Sequence, residues 1–242
     1  MESFAITDIG SRRKVNQDYV YCNDAAVGLL PNLYIVADGM GGHKAGDFAS
    51  RYSVNEFEKE LKEQKARTII GSMEGAVRLV NERLLKEAES EPDYEGMGTT
   101  FVAACIHQGN LYILNIGDSR LYIINEKGTI RQITQDHSLV EEKILRGEIE
   151  RKDAKNHPEK NVITRALGAS DRVTPDFFEV ELSAGDYVLL CSDGLTNMVE
   201  DLVLKETVLN AAASLKEKAE KMVKLANENG GRDNISLVLI HI

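Results

Sequence analysis

Four short apolar runs in this chain are each bounded at one end by an aspartate that lies beside a glycine or a small polar residue. Three of the runs lead directly into Asp38, Asp118 or Asp193, and the fourth begins just after Asp233. Short apolar runs bounded by Gly and Asp are typical of buried strands. Asp-Gly is also a common turn dipeptide, so any one of these aspartates alone would be interpreted as turn chemistry. Because all four share one context, we expect them to converge at a sheet edge.

Carboxylates that converge in this way repel one another unless cations neutralise them. Hard oxygen ligands without a supporting Cys or His cluster favour Mg²⁺ or Mn²⁺ over zinc. The pattern therefore predicts a hydrolase that uses two metal ions.

Strand-like segments recur along the chain and are separated by turn residues. They are Phe4–Asp8, Asp18–Cys22, Leu33–Ala37, Thr99–His107, Asn110–Ile116, Arg120–Asn125, Ile130–Thr134, Phe177–Glu181, Tyr187–Cys191 and Ile235–Ile240. Tight hairpins at Gln108-Gly109 and at Glu126-Lys127-Gly128 indicate that the strands pair largely antiparallel. Amphipathic helix pairs fill the stretches from Asp38 to Thr99 and from Val199 to Asn229. We expect an α+β fold of two packed, mostly antiparallel sheets flanked by helix pairs, a four-layer αββα sandwich.

The length, net charge and cysteine content of the chain limit the kinds of function that we expect. The chain has 242 residues, which we expect to form one domain (1–242), and a net charge of −10. This charge argues against a nucleic-acid backbone or an anionic membrane as the main partner. There is no signal-peptide pattern and no bilayer-spanning apolar run. The three cysteines are widely separated, and two lie inside apolar strands, so a reducing cytoplasm fits best.

A very polar insertion (residues 136–168) interrupts the regular alternation of predicted strands and turns. It contains a short amphipathic helix, predicted over His137 to Arg146, followed by a charged stretch. Such an insertion in a compact domain is often a lid or a binding loop, but a solvated surface excursion explains it equally well.

The motifs occur in an ordered set that includes a basic N-terminal loop. They are Gly10-x-x-Arg13-x-x-Asn16-Gln17-Asp18, Asp38-Gly39-Met40-Gly41-Gly42, Gly98-Thr99-Thr100, Gly117-Asp118-Ser119-Arg120, Thr134-Gln135-Asp136-His137-Ser138, Thr164-Arg165-Ala166-Leu167-Gly168, Ser192-Asp193-Gly194 and Gly231-Arg232-Asp233-Asn234. With these motifs, the chain closely resembles the metal-dependent serine/threonine protein phosphatases of type 2C (the PPM family) in their compact bacterial form. The resemblance runs from about Phe4 to Ile240.

The resemblance implies roles for individual residues. Asp38 would bridge two Mn²⁺ or Mg²⁺ ions, and the Gly39 carbonyl would ligate one of them. Asp193 and Asp233 would complete the protein ligands of the other. A water between the ions would attack phosphoserine or phosphothreonine, and Arg13 would hold the phosphate and stabilise its charge in the transition state.

Further roles follow from the same resemblance. Asp118, with Asp193, would hold a third and weaker ion. Asp18 and Asn234 would lie just outside the ligands, with Asp18 orienting metal-bound water. The insertion would match the flap of the family, which lies beside the site. We expect a monomer that acts on phosphorylated proteins, including a cognate bacterial serine/threonine kinase whose action it would oppose.

The chain departs from many eukaryotic members of the family at two positions. Met40 replaces a histidine proposed there as general acid, so we expect a metal-bound water or solvent to protonate the leaving oxygen. Gln17 replaces a glutamate, which would weaken one metal. His43 is interpreted as a surface or turn residue. The other histidines, which show no ligand spacing, are interpreted as structural or surface residues: His107, His137, His157 and His241.

Two other functions remain open from the sequence. The first is a non-catalytic phosphoprotein-binding module, which would have no need for a complete set of metal ligands. The second is a metal-dependent phosphodiesterase or nuclease, against which the acidic chain argues.

Overall fold

The computed structural model describes residues 1–42, 45–63, 65–155 and 157–242, so the predicted turn residue His43 lies outside the described residues. Within these ranges the strands form two sheets in which the neighbouring strands run antiparallel. The first sheet contains, in spatial order, β1 (Glu2–Asp8), β11 (Ile235–His241), β10 (Tyr187–Cys191), β7 (Arg120–Ile124) and β8 (Ile130–Gln132). The second contains β2 (Asp18–Asn23), β3 (Leu33–Met40), β5 (Phe101–His107), β6 (Asn110–Ile116) and β9 (Asp176–Glu181), with β4 (Gly98–Thr99) paired to β3.

Helices cover the outer face of each sheet. On the second sheet these are α1 (Ala45–Glu63) and α2 (Ile69–Ser90), followed by a single 3-10 turn (Pro92–Tyr94). On the first sheet they are α5 (Asp193–Thr196), α6 (Asp201–Val208) and α7 (Leu215–Glu228). The insertion contains α3 (Leu139–Leu145) and α4 (Arg151–Ala154). No helix in the described ranges is long and apolar enough to cross a bilayer.

Three apolar layers hold these elements together, because successive side chains of a strand point to opposite faces. In β3, Leu33, Ile35 and Ala37 pack against the helices α1 and α2. Tyr34 and Val36 of the same strand point the other way, into the layer between the two sheets. The strand β11 alternates in the same manner between the helices of the first sheet and the central layer. The predicted four-layer αββα architecture is confirmed.

Several predicted bounds differ from the structure by a few residues, and two of the differences have a clear structural cause. The strand predicted over Thr99–His107 is interrupted at Thr100, although the pairing register with β3 continues on both sides of the break. The helix predicted from His137 begins at Leu139 instead, because the His137 N–H is committed to the Gly117 carbonyl and Ser138 caps the helix.

Candidate metal centre

The strand ends of both sheets bring the predicted aspartates to one end of the molecule. In the first sheet, β10 ends where β7 begins, since Cys191 pairs with Arg120, and it also runs antiparallel to β11. Asp193, Asp118 and Asp233 therefore follow or precede neighbouring strands at the same edge. In the second sheet, Asp38 lies near the end of β3. The antiparallel topology explains why residues so far apart in sequence converge.

Asp38 lies at the centre of this cluster. It is paired in register with Asp18 across β2 and β3. The charge of Asp193, which follows a strand of the other sheet, raises the pKa of Asp38. Asp18 is bound from the same direction, because the Ser192 hydroxyl donates a hydrogen bond of 2.8 Å to its Oδ2. The centre thus spans the seam between the two sheets.

The carboxylates raise one another's pKa. Burial, followed by the charges of Asp18 and Asp193, holds the pKa of Asp38 well above its usual value. Burial and Asp193 raise the pKa of Asp118 to about 8, and burial and Asp233 raise that of Asp193 to about 6. The pKa of Asp18 rises to about 7, mainly because of burial. Buried like charges of this kind are stabilised when a cation lies among them.

The donor set fits hard divalent ions. Oδ1 of Asp193 and Oδ1 of Asp18 are buried and have no hydrogen-bond partner among the described residues. Buried polar atoms are nearly always satisfied in folded proteins, so these oxygens indicate a missing partner such as an ion or its water. All candidate donors are carboxylate or carbonyl oxygens, which suits Mg²⁺ and Mn²⁺.

The described residues do not form a ready-made cage, since no three His, Cys, Asp or Glu side chains among them are grouped so that they could hold an ion. Asp233 explains part of this. Its Oδ2 accepts a hydrogen bond of 2.6 Å from Arg13, and its Oδ1 accepts one from the Asn234 N–H. A bound ion would therefore compete with Arg13 for Asp233, and backbone carbonyls and waters would have to complete its ligands.

Asn234 follows the candidate ligand Asp233 and contacts the loop that carries Arg13. Its side chain accepts a hydrogen bond from the Gln17 N–H and donates to the carbonyls of Ile9 and Val15. It therefore anchors both ends of the loop that carries Arg13, while its backbone N–H donates to Asp233 Oδ1. This contact fixes where the guanidinium group can reach.

Two glycines of the motifs allow backbones to approach closely. A Cβ atom on Gly39 would lie 1.9 Å from the Gly46 carbonyl oxygen. A Cβ atom on Gly194 would lie 1.9 Å from the Asn234 carbonyl oxygen. Glycine is therefore required for α1 and α5 to begin against the strand ends that carry Asp38 and Asp233.

Thr100 and Ser119 support the centre, although the sequence predicted no role for them. The Asp38 N–H donates to Thr100 Oγ1 at 2.9 Å, and this hydroxyl lies 2.7 Å from Ser119 Oγ. The pair links the Asp38 backbone to the turn that carries Asp118. Their only sequence signal was membership of the motifs Gly98-Thr99-Thr100 and Gly117-Asp118-Ser119-Arg120.

Arg120 is a third supporting residue for which the sequence predicted no role. Its guanidinium group donates from Nε and Nη2 to Asp136, and Gln132 donates to the same carboxylate. The charge of Arg120 also opposes the rise in the pKa of Asp118 and Asp193. The ion pair therefore brings positive charge beside the carboxylates without adding a competing ligand.

The chain has known relatives. A family model described as Protein phosphatase 2C matches residues 10–239. The chain is 46% identical over 212 residues to serine/threonine phosphatase stp of Listeria welshimeri, covering 86% of this chain and 83% of that protein. It is 37% identical over 245 residues to protein phosphatase PhpP of Streptococcus pneumoniae, covering 99% of this chain and 97% of that protein.

Solved structures share the architecture. The serine/threonine phosphatase of S. agalactiae superimposes with a TM-score of 0.92 at 35% identity, over 100% of this chain and 99% of that one. The catalytic domain of the serine threonine protein phosphatase PstP, in complex with two manganese ions, gives a TM-score of 0.84 at 34% identity, over 98% and 96% of the chains.

Proposed function

Because this chain belongs to the protein phosphatase 2C family and is a metal-dependent serine/threonine protein phosphatase, we propose that Asp38, Gly39, Asp193 and Asp233 hold its two catalytic ions. Asp38 would serve as a ligand of both ions, and the Gly39 carbonyl would serve as a ligand of one. Asp193 and Asp233 would be ligands of the other. When bound, the Mn²⁺ or Mg²⁺ ions supply a water of lowered pKa as the nucleophile.

The observation that carries this assignment is the convergence of buried carboxylates from both sheets. The charges of Asp18 and Asp193 raise the pKa of Asp38, and one buried oxygen of Asp193 has no hydrogen-bond partner in the described part of the chain. A structural ion pair would bring an arginine or a lysine to these atoms. Among the described residues, Arg120 pairs with Asp136 and Arg13 pairs with Asp233, so neither forms an ion pair with Asp38 or Asp193.

Arg13 is proposed to bind the phosphate of the substrate. It is half-exposed, with 47% of its side chain accessible, and it lies beside Asp233 at the rim of the centre. A guanidinium group can donate two parallel hydrogen bonds to phosphate oxygens and can stabilise the charge that builds up in the transition state. Asp18, which is held by Ser192, is proposed to orient a water of the ions.

The finer properties are proposals as well. Asp118, with Asp193, is proposed to bind a third and weaker ion, and residues 136–168 are proposed to act as the flap of one catalytic domain spanning 1–242. We propose that the enzyme opposes a cognate serine/threonine kinase and acts as a monomer. A cytoplasmic location is proposed because all three cysteines are free thiols.

The deciding experiment measures phosphate release from a phosphothreonine peptide with Mn²⁺, with Mg²⁺ and with excess chelator. Release is expected only with metal.

Arg13→Ala should raise the KM by about 10- to 100-fold, because charge-assisted hydrogen bonds to the phosphate are lost. Arg12→Ala is the matched control, since Arg12 is exposed and makes no ion pair within the described residues.

Release that survives chelation, or full turnover by Asp38→Asn, would overturn the assignment of the ions. An equal KM for Arg13→Ala and Arg12→Ala would overturn the role of Arg13 alone.

A further inference from the structure

His137 is a buried histidine at the start of the insertion, and both of its ring nitrogens are engaged. Nδ1 accepts a hydrogen bond of 3.0 Å from the Gly117 N–H, and Nε2 lies 3.0 Å from Asp176 Oδ2. Because a backbone N–H can only donate, Nδ1 carries no proton and Nε2 donates its proton to Asp176. Burial also lowers the pKa of His137, which agrees with this neutral form.

Asp176 is itself held in place. Its second oxygen, Oδ1, accepts a hydrogen bond of 3.0 Å from Arg165 Nη1. Each carboxylate oxygen thus has one donor, and the carboxylate can fix both the tautomer and the orientation of the imidazole ring.

The backbone of His137 also bonds to Gly117, and it bonds to the C-terminal part of the insertion as well. Its N–H donates to the Gly117 carbonyl at 3.0 Å, and its carbonyl accepts from the Thr164 N–H at 2.8 Å. The next residue, Ser138, caps α3 through its hydroxyl. His137 therefore ties both ends of the insertion to the turn at Gly117, which lies one residue before Asp118.

Gly117 is confined from its other side by Thr100. It has a φ of +101°, and a Cβ atom there would lie 2.7 Å from the side chain of Thr100. Thr100 also accepts the hydrogen bond from the Asp38 N–H. The turn is therefore held between a residue that supports Asp38 and the ring of His137, so the position of Asp118 depends on both.

We infer that His137 is a positioning residue. Through its bond to the Gly117 N–H, it fixes the position of the Asp118 carboxylate together with that of the two ends of the insertion. The inference rests on the proposed role of Asp118 in holding the weaker ion. It gives His137 a function beyond filling space in the core, and it couples affinity for the weaker ion to the order of the insertion.

Two substitutions separate the bonds of the ring. In His137→Asn the amide oxygen can occupy the position of Nδ1 and accept from the Gly117 N–H. In His137→Gln the amide reaches the position of Nε2, so the bond to Asp176 is kept and the bond to Gly117 is lost. His241→Gln is the control, since His241 stacks on Tyr187 at the far end of β11.

The first measurement is a titration of the protein with Mn²⁺ alone, in which EPR measures the concentration of the free ion. Asp118→Asn is the reference for loss of the weaker class of Mn²⁺ sites. We expect His137→Gln to weaken this class by about 10-fold or more, as for other partners that orient metal ligands. His137→Asn should stay within about 3-fold of the unmodified protein, which is a rescue that loss of core packing would not produce.

The second measurement needs no metal. Tryptic cleavage at the exposed residues Arg151, Lys152 and Lys155 is followed by mass spectrometry in chelator. Faster cleavage in His137→Gln than in His137→Asn supports the inference. Equal cleavage and equal Mn²⁺ affinity in the two variants would overturn it.

A protein that binds no weaker class of Mn²⁺ at all would refute the proposed third ion. The cleavage difference would then decide the inference by itself: a difference supports His137 as the residue that sets the root of the insertion, and no difference overturns it.

Discussion

Asp193 contributes a buried carboxylate whose two oxygens differ in their hydrogen bonding. Oδ2 accepts a hydrogen bond from Asn197 at 2.8 Å, while Oδ1 has no partner within the described ranges. Its charge also raises the pKa of Asp38 and Asp118, in both cases after burial. Without an ion, this residue therefore opposes folding at neutral pH, because a raised pKa means that the charged form is disfavoured in the folded state.

Asp193→Asn should separate stability from activity. In chelator, the neutral amide removes a like charge and keeps an oxygen for Asn197, so the melting temperature should rise by about 2 to 4 °C for each kcal/mol gained. Metal-dependent turnover should fall by more than about 100-fold, since even residues that only support metal ligands contribute about 10- to 100-fold.

Asp171→Asn is the matched control, because Asp171 is exposed and lies outside the cluster. It should change neither property. A lower melting temperature for Asp193→Asn in chelator would contradict the view that the carboxylates destabilise the metal-free fold.

Gln17 contacts the glycine-rich turn beside the centre. Its amide nitrogen lies 3.4 Å from the carbonyl oxygens of Gly41 and Gly42. A carboxylate at this position would face these oxygens with like partial charge, whereas the amide can donate to them. The amide of Gln17 therefore supports the glycine-rich turn that follows Asp38.

At the scale of the elements, the end of one helix shows how a short sequence pattern stabilises the fold. The helix α7 begins with a capping box: the Ser214 hydroxyl accepts from the Glu217 N–H, and the Glu217 carboxylate accepts from the Ser214 N–H. Both groups satisfy backbone donors that the first turn of a helix leaves free. The cap lies at the opposite end of α7 from Asn227, which contacts Ser11 in the loop that carries Arg13.

Ser214→Ala should lower the free energy of unfolding by about 1 kcal/mol, which corresponds to a melting temperature about 2 to 4 °C lower. The kcat should not change, because the cap is about 20 Å along the helix from the end that contacts the loop. Thermal unfolding and phosphate release measure the two effects.

Ser90→Ala provides the comparison for this prediction. Ser90 lies at the C-terminal end of α2, and its hydroxyl donates only to the Glu87 carbonyl. Its replacement should change the free energy of unfolding by less than about 0.5 kcal/mol. Equal losses in the two variants would show that the capping box adds nothing specific.

At the scale of the whole molecule, the layered core determines which thiols can react. Cys105 lies in the layer beneath α1 and α2, and Cys191 lies in the layer beneath α7. Burial raises the pKa of both to about 12. Cys22 is half-buried, and burial raises its pKa as well. A raised pKa means little thiolate at neutral pH, so none of the three is an activated nucleophile.

Labelling with a disulfide reagent at pH 8 should therefore be slow in the native protein and should modify Cys22 first. All three cysteines should react in denaturant. Cys22→Ser should abolish the native reaction, and rapid labelling of that variant would show that one of the apolar layers opens readily.

The relatives and the fold together decide between the functions that the sequence left open. Named phosphatases at 37% to 46% identity make the chain an enzyme, which excludes the non-catalytic phosphoprotein-binding module. The acidic balance of the chain, at −10, agrees with protein substrates better than with a nucleic acid.

The sequence by itself determined the strands, the antiparallel pairing and the candidate carboxylates. These features are local: alternation of apolar residues, turn dipeptides and the aspartates that bound the runs can each be read within a short window. The predicted strands therefore agree with the structure to within a few residues, and the prediction for Thr99–His107 missed only the break at Thr100.

Only the tertiary structure decided which atoms face one another. The bond between Ser192 and Asp18 joins residues 174 positions apart, and that between Arg13 and Asp233 joins residues 220 positions apart. Such contacts depend on how two sheets pack, which no local pattern encodes. For this reason the sequence did not show that the Asn234 side chain anchors the loop of Arg13, or that His137, which showed no ligand spacing, lies between Gly117 and Asp176.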